Sequence, residues 1–198
     1  MGKTVMGAVV SLDGFIADDS DGVGPLFDWY GNGDVTWSFP STDDEFRTTQ
    51  ASADFMRSHY RDVAAVVIGR RLFDLTNGWN GKPAAGEHVF VVTHEAPTHW
   101  EHADTAPFTF VDGVEEAIAA AREFAGERDV DVAAGQIGSQ ALNLGLIDQV
   151  VVDQAPVVFG SGRPFFATGG LAEPLLVENP TTIVRGDRVT HLVYDVSH

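Results

Sequence analysis

The stretch VDVAAGQIGSQALNLGLIDQVVVDQAPVVFGSGRPFF, residues 130–166, decides how this chain is read. It opens with a short apolar strand, turns at Gly135, runs through a helix-length segment to Leu146 and becomes strand again. A glycine that closes a buried strand permits a tight turn, and a helix starting there offers unpaired N–H groups and the positive end of its dipole. Such a terminus attracts phosphate. Gly135, Gln136, Ile137, Gly138 and Ser139 form this candidate anion turn. Many helix starts carry Gly-x-x-Gly, so the assignment depends on the rest of the chain.

The 198 residues suffice for one sizeable core, which makes residues 1–198 a single domain by expectation. With 44% hydrophobic and 21% charged residues the composition is that of a globular protein. The longest apolar runs, such as residues 63–69, fall short of the roughly 20 residues a bilayer helix needs. The first apolar run meets Asp13 at once and reads as a strand, not a signal peptide. The expected location is the cytoplasm, with no membrane partner. The absence of cysteine excludes disulfides, Cys-ligated metals and thiol nucleophiles. A net charge of -17 with only 12 Lys and Arg argues against nucleic acid as a partner. It also makes clustered arginines informative.

Outward from the opening stretch, strands and helices alternate to about residue 147, and strands follow. Residues 4–10 read as a buried strand, and the loop after it carries Asp13, a proton donor or, more commonly before glycine, a turn former. Residues 18–33 are rich in Asp, Gly and aromatics. They read as a surface loop or as a flap carrying Trp29, Tyr30 and Trp37 over a ligand. Asp19-x-Asp21-Gly22 lacks the further ligands of a calcium loop. Ser41 or Thr42 is the expected cap of a helix with Asp43, Asp44 and Glu45 in its first turn, ending near Tyr60 and carrying Asp54 at mid-length.

Residues 63–68 form a continuous apolar strand, and Gly69-Arg70-Arg71 follows at its carboxyl end. Two guanidiniums at a helix start are an anion site or a salt-bridged surface, and the fork geometry favours the anion. Thr93 and His94 end the next strand, residues 88–93. His99 and His102, three apart in His99-Trp100-Glu101-His102 and with Glu95 nearby, do not make a metal pattern, because no third open-site ligand is fixed. Residues 113–126 read as an amphipathic helix and residues 148–159 as one long strand. Residues 175–185 and 188–196 read as a hairpin turning at Gly186-Asp187.

In order along the chain, Ser11-Leu12-Asp13-Gly14-Phe15-Ile16-Ala17, Val67-Ile68-Gly69-Arg70-Arg71, Val89-Phe90-Val91-Val92-Thr93-His94, Gly135-x-x-Gly138 and Pro156-x-x-Phe159-Gly160-x-Gly162-Arg163-Pro164-Phe165-Phe166 resemble the dihydrofolate reductase-like family. The branch is that of the riboflavin-biosynthesis reductase domain and related bacterial proteins. The resemblance implies an α/β three-layer fold: a mixed, mostly parallel central sheet flanked by helices, with a C-terminal antiparallel hairpin. It also implies NADPH bound across the carboxyl edge. Arg70 would then face the 2'-phosphate with Thr93 and His94 near the same ribose. Arg71 and residues 135–140 would hold the pyrophosphate, and Val9 and Ile16 would border the nicotinamide.

The chain departs from the family in three places. Gly135-Gln136 stands for paired glycines, Leu72 for a threonine, and the acidic residue usual on the first helix falls near Ala51. These readings lead to an NADPH-dependent reductase of a small conjugated heterocycle or carbonyl, pterin-like or pyrimidine-like, with Asp13, Asp28 and Asp54 as candidate proton donors. A nucleotide-binding protein without turnover is the alternative. A homodimer is the expected assembly.

Overall fold

The first strand of the chain, β1 (Thr4–Val10), sits in the middle of an eight-stranded sheet. The structure is a computed structural model describing residues 2–42, 44–169, 171 and 173–197. After β1 come β2 (Phe15–Ala17), a 3-10 helix (Gly24–Gly31), β3 (Val35–Trp37), β4 (Phe46–Thr48), α1 (Gln50–Tyr60), β5 (Val63–Gly69), α2 (Arg70–Gly81), β6 (His88–Val92) and β7 (Phe108–Val111). Then follow α3 (Val114–Ala125), β8 (Asp129–Ala133), α4 (Gln136–Asn143), β9 (Gln149–Gln154), β10 (Arg163–Pro164), β11 (Thr182–Arg185) and β12 (Thr190–Asp195). Across the sheet the order is β11-β12-β9-β1-β8-β5-β6-β7. From β9 to β7 all neighbours are parallel, while β12 runs antiparallel to β9 and to β11.

Alternation along β1 divides the core. Met6 and Val10 face α3 and α4 with Val130, Val132, Ile118 and Leu142. Val5 packs with Val151, Val193 and Phe55, and Val9 with Trp29 and Met56, under α1. Farther along the same face, Ile68 and Val91 meet Phe73 and Trp100. Cover on both faces explains why β5 is an unbroken apolar run.

Four expected boundaries move. The first helix starts at Gln50, where the Thr49 hydroxyl accepts from the Ser52 amide at 3.3 Å. Phe46 and Thr48 pair instead with Trp37 and Val35 as a small antiparallel sheet, and Asp43 lies outside the described residues. Helix α4 stops at Asn143 rather than Leu146, closed by the Gly145 and Leu146 amides bonding back to Leu142 and Ala141.

The strand expected over 148–159 ends at Gln154, ahead of Pro156, which has no N–H for a ladder. In the hairpin, pairing begins only at Thr182, beyond Pro180. The turn takes four residues, 186–189, with Arg188 at φ 58 and the Gly186 amide bonded to the Val189 carbonyl.

The aromatic segment is core. Its 3-10 helix buries Leu26 and Trp29, and Tyr30 packs edge-on to Trp29 and Trp37. No face was evident in the sequence because Val9, α1, Ala155, Val189 and His191, which lie elsewhere along the chain, supply it. Neither a bare surface loop nor a flap describes these side chains.

Candidate functional site

Parallel strands deliver several loops to one edge, the carboxyl edge, which is where open α/β sheets bind ligands. Here β5 ends in Gly69 and β8 leads into Gly135, which is buried at φ 88. A side chain at Gly69 would meet Ile137 Cγ1 at 3.0 Å, and one at Gly135 would meet Ile16 Cδ1 at 3.5 Å. The starts of α2 and α4 therefore touch, with Ile16 leaning over the second. Gly138 serves packing, since a Cβ there would lie 2.9 Å from the Ala133 carbonyl oxygen and from Met6. Ser139 is buried, and its hydroxyl accepts from the Ala167 amide at 2.8 Å. Gln136 and Gln140 are exposed on the first turns of α4.

The arginines at this edge are ion-paired. Arg70 donates from Nε to Asp74 at 2.8 Å and from Nη1 to the Glu95 carbonyl at 2.7 Å. Arg71 grips Asp21 with both Nε and Nη2, and Arg163 Nε reaches the same carboxylate at 3.0 Å. Hydrogen bonding from Arg71, then from Arg163, holds the Asp21 carboxyl below its usual range, against the opposing effect of desolvation. Thr93 donates to the Glu95 carbonyl at 2.8 Å. His94 Nδ1 lies 2.6 Å from Asp112, with its ring almost wholly in solvent.

The candidate donors stand apart from one another. Asp13 accepts from the Ser11 hydroxyl at 2.6 Å and from the Phe159 and Gly160 amides at 3.2 and 2.7 Å. These bonds, led by Ser11, hold its carboxyl below the ordinary value, so at neutral pH it is an ionised acceptor pinning two loops together. Asp28 is exposed on the 3-10 helix. Asp54 is exposed on α1, bonded to Gln50 at 2.7 Å and paired with Arg57. Val9 is buried, its side chain directed into the aromatic core, so only its backbone can border the edge.

Sequence reasoning gave no role to Asp21 and Arg163 as a pair, or to a buried network under α1. There His191 bridges Asp153 at 2.6 Å and Ser52 at 3.0 Å, all three buried. The residue types are those of a nucleophilic triad, but His191 is 0% and Ser52 1% exposed, so no substrate reaches them. Nearby on β8, the Asp131 carboxyl is shielded from solvent and its Oδ1 has no hydrogen-bond partner among the described residues, although the residue as a whole is half-buried. Desolvation, then the charge of Asp153, pushes it up to about 7. The visible signal for both acids was a charge inside a run of valines.

A cleft of about 450 Å³ at the opposite, amino end of the strands is lined by Lys3, Val5, His59, Asp62 and Arg128. Another of about 280 Å³ lies among Phe39, Phe46, Trp79 and Pro83. The arginines of the carboxyl edge line neither. Among the described residues no group of three or more His, Asp or Glu is placed to hold a metal ion, and no helix is long and apolar enough to cross a membrane.

The donor set fits a dinucleotide phosphate. Two helix starts meet there, first-turn amides lack intrahelical partners, Gly135 adds no side chain, and guanidiniums with partly exposed side chains flank them.

No family model and no curated protein matches the chain. Solved structures do. A protein of Shewanella sp. PV-4 assigned to riboflavin biosynthesis is 19% identical, with a TM-score of 0.68 over 99% of both chains. The Thermotoga maritima diaminohydroxyphosphoribosylaminopyrimidine deaminase/5-amino-6-(5-phosphoribosylamino)uracil reductase is 15% identical with a TM-score of 0.66; this chain spans only 57% of its length. Dihydrofolate reductase of Enterococcus faecalis, solved with NADP(H), is 16% identical with a TM-score of 0.55 over 98% of its length. Sheet order, helix placement and these likenesses agree: the chain has the dihydrofolate reductase-like fold, in a form shared with reductases of riboflavin biosynthesis.

Proposed function

We propose that this protein is an NADPH-dependent reductase that transfers a hydride to a small conjugated heterocycle or carbonyl, pterin-like or pyrimidine-like. The observation that carries the reading is the approach of Ile137 to Gly69, close enough that a side chain at Gly69 would meet it at 3.0 Å, which brings the starts of α2 and α4 together beside Arg70 and Arg71. When bound, the nicotinamide supplies the hydride. Arg70 takes the 2'-phosphate near Thr93 and His94. Arg71 and the turn from Gly135 to Gln140 take the pyrophosphate, and Ile16 covers the turn while the Val9 backbone borders the ring. The chain acts as one domain, supported by its continuous sheet, and as a homodimer in the cytoplasm, where NADPH is spent. Exposed Ile183 on the edge strand β11 supports pairing of two copies. Sedimentation at 21.3 kDa would refute the dimer.

A nucleotide-binding protein without turnover is favoured by one observation: Asp13 is held ionised by hydrogen bonds, whereas a donor must carry a proton. Thermal shift with NADPH and NADH, followed by NADPH oxidation across pterins, pyrimidines and quinones, tests both readings. An unchanged melting temperature with NADPH rejects both. A shift without oxidation of any compound leaves only the binding protein.

A further inference from the structure

Asp21 is treated by its neighbours as a bound anion would be. Two guanidiniums that arrive from separate elements, Arg71 at the start of α2 and Arg163 on β10, converge on its carboxylate, 50 and 142 residues away in sequence. The carboxylate is 13% exposed while the arginines are 60% and 44% exposed, so the cations are open to solvent and the anion between them is covered. We propose that Asp21 is an internal stand-in for a ligand phosphate, occupying a two-arginine seat that the cofactor's pyrophosphate takes over, with Arg163 as its second arm. This rests on the dinucleotide reading of the carboxyl edge.

The geometry suits an exchange. Carboxylate and phosphate both accept the guanidinium fork, and phosphate brings more charge and more oxygens. Asp21 rides on a small closed loop. Asp18 accepts from the Ser20 and Gly22 amides at 2.7 and 2.8 Å, and its own amide bonds back to the Gly22 carbonyl at 2.9 Å. Residues 18–22 can therefore swing as one piece, without unfolding. Two further ties are exposed, Ser161 to Asp19 and Arg163 Nη2 to the Asp19 carbonyl at 3.5 Å, while Ala17, just before the loop, stays paired with Arg163 on β10 and anchors its base. Without a ligand, the carboxylate offsets the repulsion of two like charges and keeps the seat assembled. Ligand entry replaces one anion with another and releases the loop that leads into the 3-10 helix.

Titration calorimetry with NADPH, and separately with inorganic pyrophosphate, on wild type, Asp21→Asn and Asp21→Asn/Arg163→Met is the test. Asp21→Asn should bind both ligands roughly tenfold tighter, and adding Arg163→Met should erase the gain. Unchanged or weaker binding of both by Asp21→Asn overturns the proposal. Pyrophosphate tightening without any NADPH binding keeps the seat and rejects the dinucleotide reading. NADPH binding that Asp21→Asn does not improve rejects the seat alone. Asp21→Ser replaces a variant that fails to fold, and misfolding of both makes Asp21 a structural tie and ends the proposal.

Discussion

His191 on β12 and Asp153 on β9 stand opposite each other in register, with imidazole Nδ1 2.6 Å from the carboxylate and both side chains sealed beneath α1. The other ring nitrogen reaches Ser52, so a single imidazole ties α1 to two strands. His191→Leu should cost about 3–5 kcal/mol, because it leaves a buried carboxylate without its partner. The double variant His191→Leu/Asp153→Leu should recover most of that loss. Urea unfolding of wild type and the two variants measures it, and equal losses in the single and double variants would contradict the coupling.

Asp131 makes stability fall with rising pH. Its folded value, about 7, lies above the unfolded 3.8, so between these limits the folded state holds a proton that the unfolded chain has lost. The penalty is absent below pH 3.8, grows through the window and is complete above about 7. It should reach on the order of 4 kcal/mol. Asp131→Asn should flatten this part of the profile and raise the denaturation midpoint at pH 8. A parallel profile for wild type and variant would refute the assignment.

Cofactor choice should depend on Arg70. Arg70→Met is expected to weaken NADPH roughly ten- to hundredfold and to leave NADH nearly unchanged, since only the former carries a 2'-phosphate. Paired titrations read the ratio. Equal weakening of both would move Arg70 away from the ribose.

Gly138→Ala should destabilise the fold by about 1–3 kcal/mol, because the new methyl meets the backbone oxygen of Ala133 as well as Met6. Gln136→Gly, at an exposed position, should change stability far less. Thermal unfolding of the two variants distinguishes a packing glycine from a residue whose effect, if any, is on the ligand.

Local chemistry carried much of this into the sequence. The apolar run of β5 announced a strand covered on both faces, and Gly135 announced a turn that its φ of 88 bears out. The arginines after Gly69 were equally plain, but the acids that hold them were not. Asp21 joins Arg163 across 142 residues, and no local pattern encodes that distance. The start of α1 lies later than the local pattern predicts for a similar reason: Phe46 and Thr48 become strand only because Val35 and Trp37 lie alongside. Trp29 looked unpartnered in the chain and is packed against His191, which comes near its other end.

The central place of β1 also governs how the protein is made. Its neighbours on the two sides are β8 and β9, and the ties at its start, Lys3 to Asp129 and Thr4 to Asp148, span 126 and 144 residues. During synthesis at about 5–20 residues per second, the emerging N-terminal strand waits on the order of ten seconds for either neighbour, with an apolar edge open on both sides. Nascent chains stalled before residue 130 should therefore be held by chaperones, and release should coincide with the emergence of β8 and β9.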